Sequence, residues 1–448
     1  MKSVLKGMLL LLLLALCGAA VFVFFVKLES HPPVIEVKGL PKLAGRKLTF
    51  TVRAEDRHSG LRELSVYLVQ GRKKILLKEL GWPVSFLRGS RVHSREISFS
   101  VSPVEKGLSE GPAVLVVSAA DASWRNRLRG NLSVKRVPFT LDLTPPRVTV
   151  LSRTVYLAPG GSALVLYRVG EKPARTGVLL NDRFFRGYPL KQGAYAALVA
   201  LPVTEKVVRK FVVLAEDGAG NRLELPVSYY LKRRRFPRVR MRLSDRFLNF
   251  KMPEFISRYP EAQKNDLLGT FIWVNETLRR RNNKTIAEIT SRPSEAPFRI
   301  SGALRALPHA AKRADFGEFR TYYYRGRKVS RAWHLGLDLA SVARSPVPAA
   351  APGRVVFADY LGIYGNTVIL DHGLGLYTLY AHLAGIEVQV GEEVSAGQTI
   401  GHTDTTGLAG GDHLHFSVLV QGVFVTPIEW LDPRWVRTRI LDPLKDYR

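Results

Sequence analysis

An uninterrupted run of apolar or small residues occupies positions 7–26, directly after Lys2 and Lys6. A run of this length can cross a bilayer as one helix, and the lysines before it favour a cytoplasmic N-terminus. A cleaved signal peptide is the alternative interpretation. The run is longer than the apolar region of a typical signal peptide, however, and no small-residue cleavage site lies shortly before Lys27. The pattern therefore predicts an N-terminal membrane anchor at residues 1–29.

Two stretches of alternating apolar and polar residues follow the anchor. H-P-P-V-I-E-V opens the first at His31, and T-P-P-R-V-T-V opens the second at Thr144. Within each, short segments of period two end in acidic turns that contain glycine, such as A-E-D-R-H-S-G and A-E-D-G-A-G-N. This pattern predicts two β-sandwich modules, at residues 30–143 and 144–231. Both resemble bacterial immunoglobulin-like domains, which implies a role as spacers or adhesion units.

Residues 232–297 combine a basic run with a helical pattern. Apolar residues recur near the period of an amphipathic helix between positions 253 and 281; they are Leu267, Leu268, Phe271, Val274 and Leu278. We expect this region to be a basic and helical linker. Its helix either packs on a neighbouring domain or acts as a regulatory segment that partly covers a functional cleft until a partner or the target surface displaces it.

From about Phe298 the alternation returns to the period of β-strands. R-T-Y-Y-Y-R-G-R-K-V-S predicts a hairpin that turns at Gly326, and further glycines follow at short intervals. This spacing is typical of a compact antiparallel sheet. We therefore predict a β domain at residues 298–435 and a C-terminal tail at 436–448.

Histidine and aspartate residues in this β domain also follow the period of a strand. In H-L-G-L-D-L-A, His334 and Asp338 alternate with leucines, so one continuous strand would present both on the same face. Gly336 between them would leave room for an ion. His413 and His415 in H-L-H-F likewise share one strand face. The pattern predicts two strand faces that carry metal-binding side chains.

These side chains have the composition of a catalytic zinc site. Such a site typically has three protein ligands and an open position for water, and both imidazole and carboxylate serve as donors. His334, Asp338 and either His413 or His415 satisfy this count. His382 and the remaining histidine of the pair would be free to transfer protons or to hydrogen-bond an oxyanion. The chain contains no H-E-x-x-H motif, which excludes a helical site with a glutamate base.

Residues 330–432 resemble the lysostaphin-type, or LytM-domain, zinc endopeptidases, which cut peptide cross-links in bacterial cell walls. The resemblance rests on H-L-G-L-D-L-A, P-V-P-A-A, G-R-V-V-F-A, Y-G-N-T-V-I-L-D-H-G, L-Y-A-H-L, G-E-E-V-S-A-G-Q-T-I-G and G-D-H-L-H-F. It implies that His334, Asp338 and His415 bind zinc and that His382 and His413 are the catalytic histidines. One departure is T-D-T-T-G-L-A-G-G before the last motif, where the family usually has G-x-T-G; it bears on substrate fit more than on catalysis.

The charge of the chain is unevenly distributed. The net charge is +29, but residues 331–448 hold 8 basic and 12 acidic residues, so the positive excess lies entirely in residues 1–330. No Walker loop, zinc-finger spacing or interleaved aromatic residues accompany the basic run that begins at Lys232, which argues against a nucleic-acid partner. Attraction to anionic phospholipids or to carboxylate-bearing cell-wall polymer explains the excess better, with an ordinary solvated surface as the alternative.

Together these features predict a mainly β protein with an N-terminal transmembrane helix, two immunoglobulin-like β-sandwich modules, a short helical linker and a C-terminal antiparallel β-sheet peptidase domain of the LytM type. The implied function is a Zn²⁺-dependent metalloendopeptidase that hydrolyses peptidoglycan cross-links in cell-wall remodelling. Its helix would anchor it in the inner membrane as a single-pass protein with the catalytic domain in the periplasm. Two alternatives stay open: a non-enzymatic wall-binding activator of a separate amidase, and an adhesion or scaffold protein. A regulatory protein partner is compatible with the endopeptidase and with the activator.

Overall fold

The computed structural model describes residues 2–447, which form two compact units. The first contains residues 2–146 with 216–222, and the second contains residues 147–215 with 223–447. Strands outnumber helices in the described part of each unit. The prediction of a mainly β protein is therefore confirmed.

The N-terminal apolar run forms a helix, Lys2–Phe22, which continues as a π-helical turn, Val23–Lys27. Its segment Lys6–Phe25 has a mean hydropathy of 2.9 and is not buried within the protein. Among the described residues, this is the one helix long and apolar enough to cross a membrane. These properties suit a membrane anchor and equally a signal sequence.

Two sheets around one hydrophobic core form the rest of the first unit. Alternation places every second residue of the strand Leu48–Glu55 in that core, to which both sheets contribute. This is the architecture of a sandwich; its immunoglobulin-like character stays a prediction. In spatial order, the first sheet contains Val34–Lys38, Leu48–Glu55 and Ser94–Val101. The second sheet contains Leu43–Ala44, Leu132–Leu141, Gly111–Asp121, Leu61–Gln70 and Lys73–Gly81. A small strand pair, Val84–Ser85 with Gly89–Ser90, and a short helix, Arg125–Leu128, accompany them.

The second predicted module is also built from sheets. Its central strand, Ser162–Val169, is buried at all positions but one, because packed side chains cover both of its faces. The sheets are Val148–Val150, Ser162–Val169, Ala194–Ala200 and Tyr188–Pro189; Arg183–Arg186, Arg175–Leu180, Phe211–Glu216 and Arg222–Pro226; and a parallel pair, Val155–Leu157 with Tyr229–Leu231, with a 3₁₀ turn at Lys191–Gly193.

The basic run predicted as part of a linker contains a strand. Arg238–Leu243 alternates arginine with apolar residues and pairs in parallel with Phe319–Tyr324. That strand in turn pairs with Arg327–Trp333 across Gly326, whose φ of +78° confirms the predicted hairpin turn. Arg238, Arg240 and Arg242 therefore belong to a sheet, whereas the first part of the run, at residues 232–235, precedes the strand.

The helical segment, residues 245–290, packs on the C-terminal sheet. Its first helix begins before the predicted start at residue 253, because the Ser244 side chain caps it by accepting a hydrogen bond from the Phe247 amide. Buried Phe271, Val274 and Leu278 share a core with that sheet, which confirms the predicted packing on a neighbouring domain. The elements are Asp245–Arg258, Pro260–Ala262, Leu267–Trp273, a π turn at Val274–Leu278, and Arg279–Thr290.

The C-terminal sheet is antiparallel, as predicted. Its central strand, Leu414–Val420, is buried along its whole length. In spatial order, the strands of this sheet are Ala311–Ala314, Leu337–Ala340, Leu414–Val420, Leu376–Ile386, Asn366–Asp371, Gly353–Tyr360 and Glu393–Val394. Two further pairings extend it: Pro346–Pro348 with Thr399–Thr403, and Val423–Val425 with Leu414–Val420. A 3₁₀ turn lies at Gly362–Tyr364.

The chain ends in helical turns that pack into the core. They are Pro427–Leu431, Pro433–Val436, Arg437–Leu441 and Asp442–Leu444, so the predicted boundary at residue 435 falls inside this helical region. Val436, Ile440 and Leu444 are fully buried in one cluster with the second sandwich and the C-terminal sheet. Trp430 Nε1 also donates a hydrogen bond to Ser162 Oγ at 3.0 Å. The second sandwich and the C-terminal domain therefore share a single core.

Candidate metal centre

Three candidate ligands converge from two neighbouring strands. His334 lies before the strand Leu337–Ala340 that carries Asp338, and the register of Leu414–Val420 sets His415 opposite Asp338. Asp338 Oδ1 is 2.9 Å from His334 Nε2 and from His415 Nδ1, and these two nitrogens are 3.1 Å apart. Zinc bonds of about 2.0–2.1 Å at tetrahedral angles separate ligand atoms by about 3.3 Å. The three atoms therefore have nearly the spacing that a zinc ion requires.

Hydrogen bonds on the outer side of each imidazole set its tautomer. His334 Nδ1 donates to the Asp315 carbonyl at 2.8 Å, which leaves the lone pair of Nε2 for a metal. His415 Nε2 donates to Ser417 Oγ at 3.1 Å, and this hydroxyl donates onward to the Leu335 carbonyl. The lone pair of His415 Nδ1 is thereby free as well. Such outer partners are typical of metal-binding histidines, so the donor set fits zinc.

The strand predicted across H-L-G-L-D-L-A is interrupted. Regular pairing begins only at Leu337, so His334 and Gly336 lie outside the strand that carries Asp338. A Cβ at Gly336 would lie 2.5 Å from His415 Nε2 and 2.7 Å from Ser417 Oγ. The missing side chain therefore makes room for the outer face of the His415 ring, and the prediction that it makes room for the ion is wrong.

His382 and His413 lie beside the ligand set, with their ring centroids 4.9 Å apart. His382 Nδ1 donates to the Thr406 carbonyl at 2.7 Å, and His413 Nδ1 donates to the Gly411 carbonyl at 2.7 Å. His413 Nε2 lies 3.5 Å from Asp338 Oδ1. His382 has a φ of +63°, a conformation that costs energy for any residue but glycine. The fold thus holds this histidine in place at a local energetic cost.

The buried histidines differ in their electrostatic surroundings. Burial lowers the pKa of His382 well below its ordinary value, and His413 and His415 lower it further. Burial also lowers the pKa of His415 to about 4, so this ring is neutral at neutral pH and suited to bind a metal. Burial opposes protonation of His413 too, but the hydrogen bond and charge of Asp338 outweigh it and raise the His413 pKa. The pKa values of His382 and His413 are thus shifted in opposite directions.

A half-buried arginine that is not among the predicted site residues supports the ligands. Arg320 Nη2 lies 3.3 Å from Asp338 Oδ2, and its Nε donates to Glu318 Oε2 at 2.9 Å. Glu318 also accepts a hydrogen bond from the backbone amide of Asp315, and the carbonyl of the same Asp315 orients His334. One network therefore connects two of the three ligands. Arginine is so common in this chain that no sequence signal distinguishes Arg320.

We expect Arg320→Gln to weaken zinc binding about 10- to 100-fold, the usual effect of removing an outer partner of a metal ligand. The variant leaves Asp338 without its guanidinium partner while all three ligands stay in place. Competition with a fluorescent zinc chelator measures the affinity. Arg327→Gln, at an exposed position on the same hairpin, is the matched control and should bind zinc like the unaltered protein. Equal affinity of both variants would contradict the assigned role.

All five candidate residues line one cavity of about 440 Å³. The helical segment contributes Phe247, Phe271 and Arg279 to its wall, and the adjacent hairpin contributes Tyr322. Glu254 of this segment accepts the Gly407 amide at 2.9 Å, which fixes the loop whose Thr406 carbonyl holds His382. The helical segment is therefore part of the wall of the site, as the hypothesis that it partly covers the cleft requires.

Comparison with known proteins matches this region to one family. Residues 332–427, which contain all five candidate residues, match the sequence profile of Peptidase family M23. DD-carboxypeptidase/endopeptidase Mpg from Neisseria meningitidis serogroup B is 37% identical over 107 residues, which are 23% of this chain and 25% of Mpg. Murein hydrolase activator EnvC from Escherichia coli K12 is 38% identical over 96 residues, 21% of this chain and 23% of EnvC.

Among solved structures, the catalytic domain of the antimicrobial peptidase lysostaphin from Staphylococcus simulans is 28% identical. The match covers 29% of this chain and 98% of that domain, with a TM-score of 0.25. The chain spans only 25% and 23% of the length of Mpg and EnvC. One of these relatives is named as an enzyme and the other as an activator, so the names alone leave the activity of this chain open.

Proposed function

We propose that this chain, whose C-terminal region is a family M23 peptidase domain of the LytM or lysostaphin type, is a zinc metalloendopeptidase that hydrolyses peptide cross-links of bacterial peptidoglycan. The observation that carries this proposal is a complete ligand set beside two further histidines in one cavity. A protein that only binds and activates a partner needs neither the ligands nor the catalytic histidines. Here all five side chains are present and hydrogen-bonded in orientations suited to catalysis.

His334, Asp338 and His415 would hold the zinc ion, which when bound supplies a Lewis acid that polarises the scissile carbonyl and lowers the pKa of water. His382 donates from Nδ1 to a backbone carbonyl, so its Nε2 is free to accept the proton of the attacking water. His413 also donates from Nδ1 to a backbone carbonyl, and its Nε2 lies beside the ligand set, where it would hydrogen-bond the developing oxyanion and pass a proton to the leaving amine.

A non-enzymatic activator is the second candidate function. Two observations favour it: the similarity to EnvC, and the helical segment that forms part of the cavity wall. Phe247 and Phe271 occupy wall positions where a peptide substrate would need space. If a partner protein shifted the helical segment when it bound, its binding would open the zinc cavity to a peptide. The activator and the enzyme differ in one measurable property, the hydrolysis of peptidoglycan by the isolated protein.

We further propose a single-pass inner-membrane location with the peptidase domain in the periplasm. The apolar helix leads into Lys27, whose carbonyl accepts a hydrogen bond from the Trp124 amide at 2.7 Å. The Trp124 ring stacks on Phe86 at 4.6 Å, and Phe86 and Leu87 are 63% and 62% exposed. Exposed aromatic and apolar side chains beside the end of such a helix suit the membrane interface, which supports an anchor over a removed signal.

Zinc-dependent release of soluble muropeptides tests the enzymatic proposal. The detergent-solubilised full chain, stripped of metal with a chelator and reloaded with zinc, should digest purified peptidoglycan sacculi, while the stripped protein should not. Chromatography with mass spectrometry measures the products and identifies the bond that is cut. A protein that binds one equivalent of zinc and releases nothing would favour the activator. A protein that binds no zinc would contradict the enzymatic proposal directly.

A further inference from the structure

A second cavity, of about 560 Å³, adjoins the metal centre. Trp333 and Leu335, the sequence neighbours of His334, line it, whereas His334 itself lines the zinc cavity. The second sandwich contributes Arg183 and Thr204 to the same wall. The helical segment and Arg331 of the hairpin supply the rest of the polar lining, so the cavity forms only where the second sandwich, the helical segment and the hairpin meet.

The lining of this cavity is strongly cationic. Four arginines line it, with Glu276 as the one carboxylate among the lining residues; they are Arg183, Arg279, Arg280 and Arg331. Glu205 pairs with Arg183, and the Asn275 side chain accepts from Arg279. The guanidinium groups of Arg280 and Arg331 are exposed and make no hydrogen bond or ion pair with another described residue. Two guanidinium groups are therefore available to a ligand.

The floor of the cavity is apolar. Val203 and Phe424 are buried there, and Trp333 and Leu335 are half-buried beside them. A cavity of about 300–1,000 Å³ with an apolar floor and a few polar groups is typical of a small-ligand site. Guanidinium groups pair best with carboxylate or phosphate oxygens. The lining suits a ligand with an aliphatic chain that ends in an oxyanion.

This cavity and the zinc cavity have a common wall. Arg279 lines both of them. Asn283, in the arginine-lined cavity, accepts a hydrogen bond at 2.8 Å from the hydroxyl of Tyr364, which lines the zinc cavity. A ligand that extended across both cavities would place its reacting bond in the zinc cavity and its oxyanion in the arginine-lined cavity.

We propose that the arginine-lined cavity binds a carboxylate of the cross-linked stem peptide while the scissile bond lies at the metal centre. This inference rests on the proposed function and specifies the substrate: cross-links with a free side-chain carboxylate should be preferred to neutral ones such as glycine bridges. Arg280 and Arg331 are exposed and stay hydrated beside a neutral cross-link, so only an oxyanion such as a carboxylate gains charge-assisted hydrogen bonds from them. A phosphate group has the same oxyanion chemistry, so the test includes it.

Calorimetry on the detergent-solubilised full chain, stripped of zinc so that nothing is hydrolysed, measures binding alone. The probes are a soluble muropeptide dimer with free side-chain carboxylates, the same dimer with these carboxylates amidated, and inorganic phosphate. We expect the carboxylate dimer to bind at least about tenfold more tightly than the amidated dimer. Arg280→Gln/Arg331→Gln should lose this preference. Arg246→Gln/Arg437→Gln removes the same charge at exposed positions outside both cavities and should keep it.

Equal affinity of the unaltered protein for the two dimers would overturn the proposal. So would phosphate binding that depends on Arg280 and Arg331 while dimer binding does not, because the cavity would then serve a phosphate from another source. Digestion of sacculi by the zinc-loaded protein separates this outcome from the proposed function. Digestion without a carboxylate preference refutes the cavity assignment alone. A carboxylate preference without digestion refutes the enzymatic function and leaves the binding site standing.

Discussion

Replacement of His415 by alanine should abolish both zinc binding and peptidoglycan hydrolysis. The variant removes one of three nitrogen or oxygen donors that lie 2.9–3.1 Å apart, and it leaves a void next to Gly336 that no other donor can fill. Because the loss of an outer partner alone costs about 10- to 100-fold in affinity, we expect the loss of a direct ligand to exceed that range. Metal analysis after dialysis and muropeptide release from sacculi measure the two effects.

His402→Ala is the matched control for this prediction. His402 is half-buried, pairs with Glu387 at 2.7 Å and does not line the zinc cavity. It should bind zinc and digest sacculi like the unaltered protein. Circular dichroism confirms that both variants are folded. If the His415 variant still holds one equivalent of zinc with unchanged affinity, the proposed ligand set is wrong.

Replacement of His382 by alanine should instead separate metal binding from catalysis. His382 is hydrogen-bonded to the Thr406 carbonyl and lies beside His413, but it is not part of the ligand set. We therefore expect zinc affinity to stay within a few fold while hydrolysis falls by about 10²- to 10⁴-fold, the usual contribution of a general acid or base. Single-turnover digestion of a muropeptide dimer at saturating zinc measures the loss.

The double variant His382→Ala/His413→Ala tests whether the two histidines act as a unit. If both serve the same proton-transfer sequence, the double variant should lose little more activity than the more damaging single variant. Unchanged hydrolysis in the His382 variant would remove it from the proposed catalytic role. A loss of zinc equal to the loss of activity would show that His382 acts on the metal and not on the substrate.

The five residues of the centre could be found from the sequence because their side chains themselves carry the chemistry. Alternation correctly related His413 to His415, but it predicted one strand across His334 and Asp338 where the structure has a break. The segment H-L-G-L-D alternates in polarity as a strand does, but alternation does not require that backbone pairing continue through it. The supporting groups were invisible for a different reason: the Asp315 carbonyl that orients His334 has no side-chain signature at all.

The second part of the basic run, residues 238–243, illustrates how composition can hide a pattern. Its arginines suggested a solvated linker, yet arginine alternates there with Val239, Met241 and Leu243, the period of the strand that it forms. Parallel pairing with Phe319–Tyr324 needs a distant partner, which no local signal identifies. The helical segment was easier to predict because its apolar stripe repeats within a few turns.

The single core shared by the second sandwich and the C-terminal sheet limits where the chain can be divided. Val436, Ile440 and Leu444 lie in that core, and Trp430 bonds to Ser162 of the sandwich. A fragment of residues 298–435 alone would lose these contacts and would expose apolar surface that invites aggregation. A soluble fragment of this chain should therefore keep the two parts together.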